Sequence, residues 1–133
     1  MSTTVTATIA TILAFFVADI LWVKFVTGPF FRARIGEMML EDPKLGVAFV
    51  FYIIFAIGLV YFAVMPGLAA NSLWLTLGNA AFIGLLGYGT FEATNMAILK
   101  NWQYSMIVID LIWGVFGSAG AAAAGYFAAK AVS

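Results

Sequence analysis

The stretch LWLTLGNAAFIGLLGYGTFEATNMAIL, residues 73–99, decides the fold. It is apolar over more than the ~20 residues a helix needs to cross a bilayer. Yet Glu92 and Asn95 fall inside it. An ionisable side chain in hydrocarbon is costly and usually marks a site or a specific partner. Working outward, three more apolar runs of similar length frame this one. The expected spans are residues 4–26, 45–65, 72–99 and 103–129. Four strands could not satisfy their backbones in lipid without a larger closed barrel. The expected class is therefore all-α: a single domain, residues 1–133, forming an integral membrane four-helix transmembrane bundle.

Composition points the same way. Of 133 residues, 65% are hydrophobic and only 9% charged, and mean hydropathy is +1.08, whereas a soluble domain is about half apolar and a quarter charged. Formal net charge is zero, so nothing suggests a nucleic-acid partner. The chain has no Cys and no His. That excludes disulfides, thiolate chemistry, zinc held by Cys or His, and histidine-ligated haem. No cofactor and no metal site is expected. MSTTVTATIATILAFF (1–16) has no basic leader, and its apolar run continues past Asp19 to Val26. It is expected to be retained as the first span rather than cleaved as a signal.

The connections differ in character. Residues 27–44, TGPFFRARIGEMMLEDPK, are long and polar, with FFRARIGEMM a candidate short interfacial helix between Gly28-Pro29 and Asp42-Pro43. Pro66-Gly67 is expected to stop the second span. Short turns near residues 66–71 and 100–102 favour antiparallel neighbours. Lys24, Arg32, Arg34, Lys44 and Lys100 fall on the side of the first and third connections, and Lys130 on the other. The positive-inside rule then places both termini outside the cytoplasm.

Depth brings the polar residues together. Asp19 lies seven residues before Val26, Tyr52 seven after Leu45, Glu92 seven before Leu99, and Asp110 seven after Gln103. At about 1.5 Å per residue, all four sit roughly 10 Å inside one membrane edge. On the third span Gly84, Tyr88, Glu92 and Asn95 share a helical face. On the fourth, Asp110, Gly114, Gly117 and Ala121 do. The expected ligand or proton site is Asp19, Tyr52, Glu92, Asn95 and Asp110; Gly84, Gly114, Gly117 and Ala121 are expected to serve close helix packing. Three carboxyls this close cannot all be ionised at neutral pH. Lys24 is the nearest cation, able to snorkel or to fold back on Asp19. The tetrapeptide DILW (19–22) recurs as DLIW (110–113), a trace of internal repetition.

Other features have plainer readings. Phe49, Phe51, Tyr52, Phe55, Tyr61 and Phe62 cover more than one face of the second span, as lipid-facing or packing groups do. Trp74 and Trp102 suit an interfacial belt. Arg32 and Arg34 suit topology and headgroup contact. GSAGAAAAG (117–125) suits tight helix packing.

The motif TFEATNMAILKNW (90–102), followed by Asp110 and Trp113-Gly114, resembles the pattern of domain-of-unknown-function family 2177, small bacterial four-span membrane proteins. Asp19-x-x-Trp22, Phe49-x-Phe51-Tyr52 and FFRARIG (30–36) extend the similarity over nearly the whole chain. An Asp usually stands in that pattern where this chain has Glu92, which keeps the acid on a longer arm. The resemblance implies four spans, a bacterial inner membrane and weight on Asp19, Glu92, Asn95 and Asp110. It implies no activity.

Three functions are open at this stage. The first is proton-linked binding or transport of an apolar or lipid-like ligand. The second is a non-catalytic accessory subunit of a larger membrane complex. The third is a membrane-embedded acid–base enzyme acting on a lipid-soluble substrate. Expected partners are the lipid bilayer and either further copies of the chain or such a complex.

Overall fold

In a computed structural model that describes residues 2–133, the chain is helical almost throughout and has no strand among the described residues. Four long helices form it. The first, α1, runs Thr3–Met38 and the second, α2, Leu45–Ala69. They are followed by α3, Leu73–Ile98, and α4, Tyr104–Val132. By length and composition α1, α2 and α4 are each able to cross a membrane. At 26 residues α3 is long enough, but its glycines and Asn79, Glu92 and Asn95 dilute its apolar character. The outer surface is strongly apolar, with Leu13, Val47, Phe62, Phe116 and Phe127 among many large exposed side chains. Such a continuous apolar exterior suits lipid rather than water.

The first helix departs from expectation in an informative way. The sequence suggests a break at Gly28-Pro29 and a separate interfacial helix; instead α1 continues past Pro29 to Ile35 and ends in a 3-10 turn, Gly36–Met38. A proline in a helix lacks an N–H and crowds the carbonyl four residues back. Here a π turn over Val23–Thr27 absorbs it, with the Gly28 N–H bonded to the Val23 carbonyl. A Cβ at Gly28 would lie 2.5 Å from that oxygen, so only glycine fits. The same device recurs in α2. A π turn over Val60–Val64 precedes Met65-Pro66, and the Met65 N–H bonds to the Val60 carbonyl. Pro66-Gly67 therefore does not end the second helix, which runs on to Ala69.

The turns are short and locally determined. Asn71 and Asn101 adopt left-handed backbone, φ 51° and 65°, which asparagine tolerates better than most residues. The Ser72 hydroxyl accepts from the Leu75 N–H at 3.2 Å and caps α3. Lys130 near the end of α4 donates to the Asn71 side chain and ties that helix to the α2–α3 turn.

Helix α4 is the axis of the bundle and packs along both α3 and α1. At the crossing of α3 and α4, a Cβ on Gly84 would strike the Gly114 carbonyl, coming within 2.6 Å of its carbon. At the α1–α4 crossing, a Cβ on Gly125 would strike the Thr11 hydroxyl. Backbones this close gain dispersion contacts, which drive helix association where lipid offers no hydrophobic effect. Helix α2 completes the ring unevenly. From Val60 onward it packs on α3 and α4, while Leu45–Leu59 packs mainly on α1. That half leans away from α3 and leaves a wedge inside the bundle.

Because a backbone carbonyl cannot move aside as a side chain can, Gly84→Ala should lower stability by about 1–3 kcal/mol. Gly78→Ala, with nothing within 4 Å of the added methyl, should be neutral or stabilising by up to about 1 kcal/mol. Thermal unfolding of the two variants in the same detergent measures the difference.

Candidate functional site

The wedge is a cavity of about 370 Å³, within the range of small-molecule sites. Each of the four helices lines it. Helix α1 contributes Asp19, Trp22, Thr27 and Phe31; α2 contributes Phe51, Tyr52 and Phe55. Gly87, Tyr88 and Phe91 come from α3, and Asp110 and Trp113 from α4. Among the described residues, no Lys or Arg lines it.

The π turn explains how α1 presents so long a stripe. At about 100° per residue, Thr27 and Phe31 would rotate away from Asp19 by roughly 80° and 120° in an unbroken α-helix. One extra residue in the π turn removes about 100°, leaving both roughly 20° from its direction. Pro29 thus sets the wall of the cavity through the turn it requires.

The acids form a connected layer. Asp19 and Asp110 are 4% and 7% exposed and border the cavity; Glu92 is 0% exposed and lies behind it. Tyr52 on α2 faces Asp19, its hydroxyl placed to donate. Asp110 faces Glu92 within hydrogen-bonding reach. The Trp102 indole Nε1–H donates to Glu92 Oε1 at 3.0 Å, whereas Glu92 Oε2 is buried with no donor. Two carboxylates have no hydrogen to give each other. A hydrogen bond between Glu92 and Asp110 therefore requires a proton on one of the two groups. Trp113 Nε1–H donates to the Tyr88 hydroxyl at 3.2 Å, leaving the Tyr88 O–H free to turn toward the acids. The indole N–H of Trp22 and the hydroxyl of Thr27, both on cavity-lining residues, have no protein partner.

Aromatic rings make the rest of the wall. Phe15, fully buried, meets Tyr52, Phe55 and Trp113 with centroids 5.4–5.8 Å apart. Trp22 stacks on Trp113 at 5.8 Å and 21°. The repeated Asp-x-x-Trp thus has a structural counterpart: its two tryptophans stack and its two aspartates border one cavity. Beyond Phe15 the interior closes, with Leu59, Val60, Ala63 and Val64 buried against α4. At the near end, Phe31 and Phe91 stand edge-on to Trp102. Arg34 pins the end of α1 to the α3–α4 turn by donating from Nε to Gln103 Oε1 at 2.9 Å.

Against the sequence reading, the structure brings Asp19, Tyr52, Glu92 and Asp110 together and leaves Asn95 apart. Asn95 is half-buried, outside the cavity lining. Gly84 and Gly114 make the tight crossing, Gly117 lies under the Trp113 ring, and Ala121 is buried. Lys24 does not fold back on Asp19; it is exposed, over the Phe25 ring at 5.4 Å. Trp102 is no belt residue but a buried donor to Glu92. Phe51, Tyr52 and Phe55 are cavity walls, which the spread of aromatics around α2 concealed. Thr27 and Phe31 went unnoticed because the periodicity that would reveal them is broken by the π turn. The motif Gly-Pro inside an otherwise apolar run was the available signal. Among the described residues, no three acid side chains converge closely enough to hold a metal ion.

A family model described as "Predicted membrane protein (DUF2177)" matches residues 4–127, so the chain belongs to that family of membrane proteins. No curated protein and no solved structure matches the chain.

Trp102→Phe keeps the ring and removes the donor, leaving Glu92 Oε1 unsatisfied as well. The expected loss is about 1–3 kcal/mol in thermal unfolding. Adding Glu92→Leu, which removes the buried acceptor, should shrink the effect of Trp102→Phe to near zero in a double-mutant cycle.

Proposed function

We propose that this family member is a four-span protein of a bacterial inner membrane that binds an apolar, lipid-like ligand in the wedge lined by all four helices. The carrying observation is the cavity itself, apolar-walled yet bordered by Asp19 and Asp110. A packing plug of hydrogen-bonded acids would have no reason to stand beside open volume. Asp19 and Tyr52 anchor the ligand's polar group, and the Glu92–Asp110 pair holds the proton that binding can move. Phe51, 64% exposed, offers an entry point from the lipid side. Closure of the interior beyond Phe15 favours binding over passage through a single copy.

The ligand test is direct. Protein purified in mild detergent should carry a lipid-soluble molecule, identified by mass spectrometry after organic extraction. Gly87→Leu, which fills the cavity from α3, should lose it, and Asp19→Asn should retain less. Recovery of a stoichiometric protein partner with no small molecule would instead establish the accessory-subunit reading. Chemical conversion of the extracted compound on incubation would establish the enzyme.

Topology is tested separately. Since the chain has no Cys, single cysteines report without background. A thiol at Glu41 should be shielded from a membrane-impermeant maleimide in intact cells, while one at Ser133 should react. The reverse pattern would invert the proposed orientation.

A further inference from the structure

Resting on the ligand-binding reading above, the identity of the wall residues narrows the ligand's chemistry. We propose that the cavity selects lipophilic organic cations: molecules with a shielded or delocalised positive charge and apolar arms.

The charged side chains of the walls all have one sign. Asp19 and Asp110 border the cavity, and Glu92 stands directly behind Asp110. Among the described residues, no basic side chain lines it. The nearest candidate, Lys24, points to the exterior over Phe25. Arg34 is engaged with Gln103 and the Phe30 carbonyl, stacked 3.4 Å from the Phe30 ring. Among the described residues, three acids in a hydrocarbon slab therefore have no protein cation to neutralise them, and either protons or a bound cation must do so.

The remaining surface is aromatic. Aromatic faces carry negative potential and attract cations within about 6 Å, most strongly where water is excluded. Trp22, Phe31, Phe51, Phe55 and Trp113 put such rings around the acids. An aliphatic lining would hold a neutral lipid equally well and would not need them. An anion would meet carboxylates and ring faces together and be rejected on both counts. A small hydrated metal ion would gain little from rings and finds no converging set of oxygen ligands among the described residues. An apolar cation matches the acids, the rings and the volume: charge for the acids, π faces for its shell, and space for its arms.

The test uses two probes of nearly the same size and shape but opposite charge, tetraphenylphosphonium and tetraphenylborate. Binding to purified protein in a non-ionic detergent is measured by equilibrium dialysis. Tetraphenylphosphonium should bind saturably and displace any co-purified ligand. Tetraphenylborate should show only the non-saturable uptake of protein-free micelles. Asp19→Asn with Asp110→Asn should weaken tetraphenylphosphonium at least tenfold while gel filtration shows an unchanged monodisperse protein. Phe51→Ala, on an exposed side chain outside the core, should weaken it severalfold by removing one ring, and guards against misfolding of the acid variants. Equal saturable binding of both probes, or tetraphenylphosphonium binding indifferent to both sets of substitutions, overturns the cation assignment. If neither probe binds but a neutral molecule co-purifies and is lost in Gly87→Leu, cation selectivity fails and ligand binding stands. If nothing binds and nothing co-purifies, both readings fall.

Discussion

The backbone crossing of α3 and α4 at Gly84 and Gly114 is the contact on which the rest of the molecule depends. In lipid, helices associate through close packing and internal hydrogen bonds rather than by escaping water. Two glycines at the crossing let the chains approach until one helix lies against the carbonyl of the other. That approach fixes the register of everything nearby. One turn along α3, Tyr88 lies against Gly114 and receives the Trp113 N–H. One turn further, Glu92 reaches Asp110. The acid pair is thus a consequence of the glycine pair.

A second constraint follows from proline. Pro29 and Pro66 would each break a regular helix, and each is preceded by a π turn that lets the helix continue. In α1 the turn swings Thr27 and Phe31 onto the line of Asp19. In α2 the turn, Val60–Val64, marks where that helix begins to pack on α3 and α4. The bulge in α1 lies within that helix's contact with the cavity, and the bulge in α2 lies just beyond its contact. One shapes its wall, and the other marks the closed interior beyond it.

The chemistry of the site follows from imbalance. Buried acids are ordinarily matched by bases or by donors, and here the donors fall short. Trp102 serves one oxygen of Glu92, Tyr52 faces Asp19, and the other Glu92 oxygen has no donor among the described residues. A hydrogen bond between the two acids requires a proton on one of them, and a cavity of about 370 Å³ stands beside Asp110. Aromatic rings close the other sides. A layer designed only to hold helices in register would pair its polar atoms fully and leave no void.

Much of the site was legible without coordinates because membrane depth is nearly linear in sequence. Equal distances from the span ends placed Asp19, Tyr52, Glu92 and Asp110 in one slab, and small residues at helical spacing marked the face of α4. Membrane class and helical content follow from composition and the saturation of backbone hydrogen bonds in hydrocarbon. Rotation about a helix axis, by contrast, is set by every irregularity along the helix. One inserted residue turns a side chain by about 100°, so Thr27 and Phe31 were assigned no face. Whether Trp102 met headgroups or Glu92, and whether α2 pressed against α3 or stood off from it, depended on contacts between distant segments. Depth and composition were the sequence's own to determine; azimuth, and the cavity it creates, belonged to the packing.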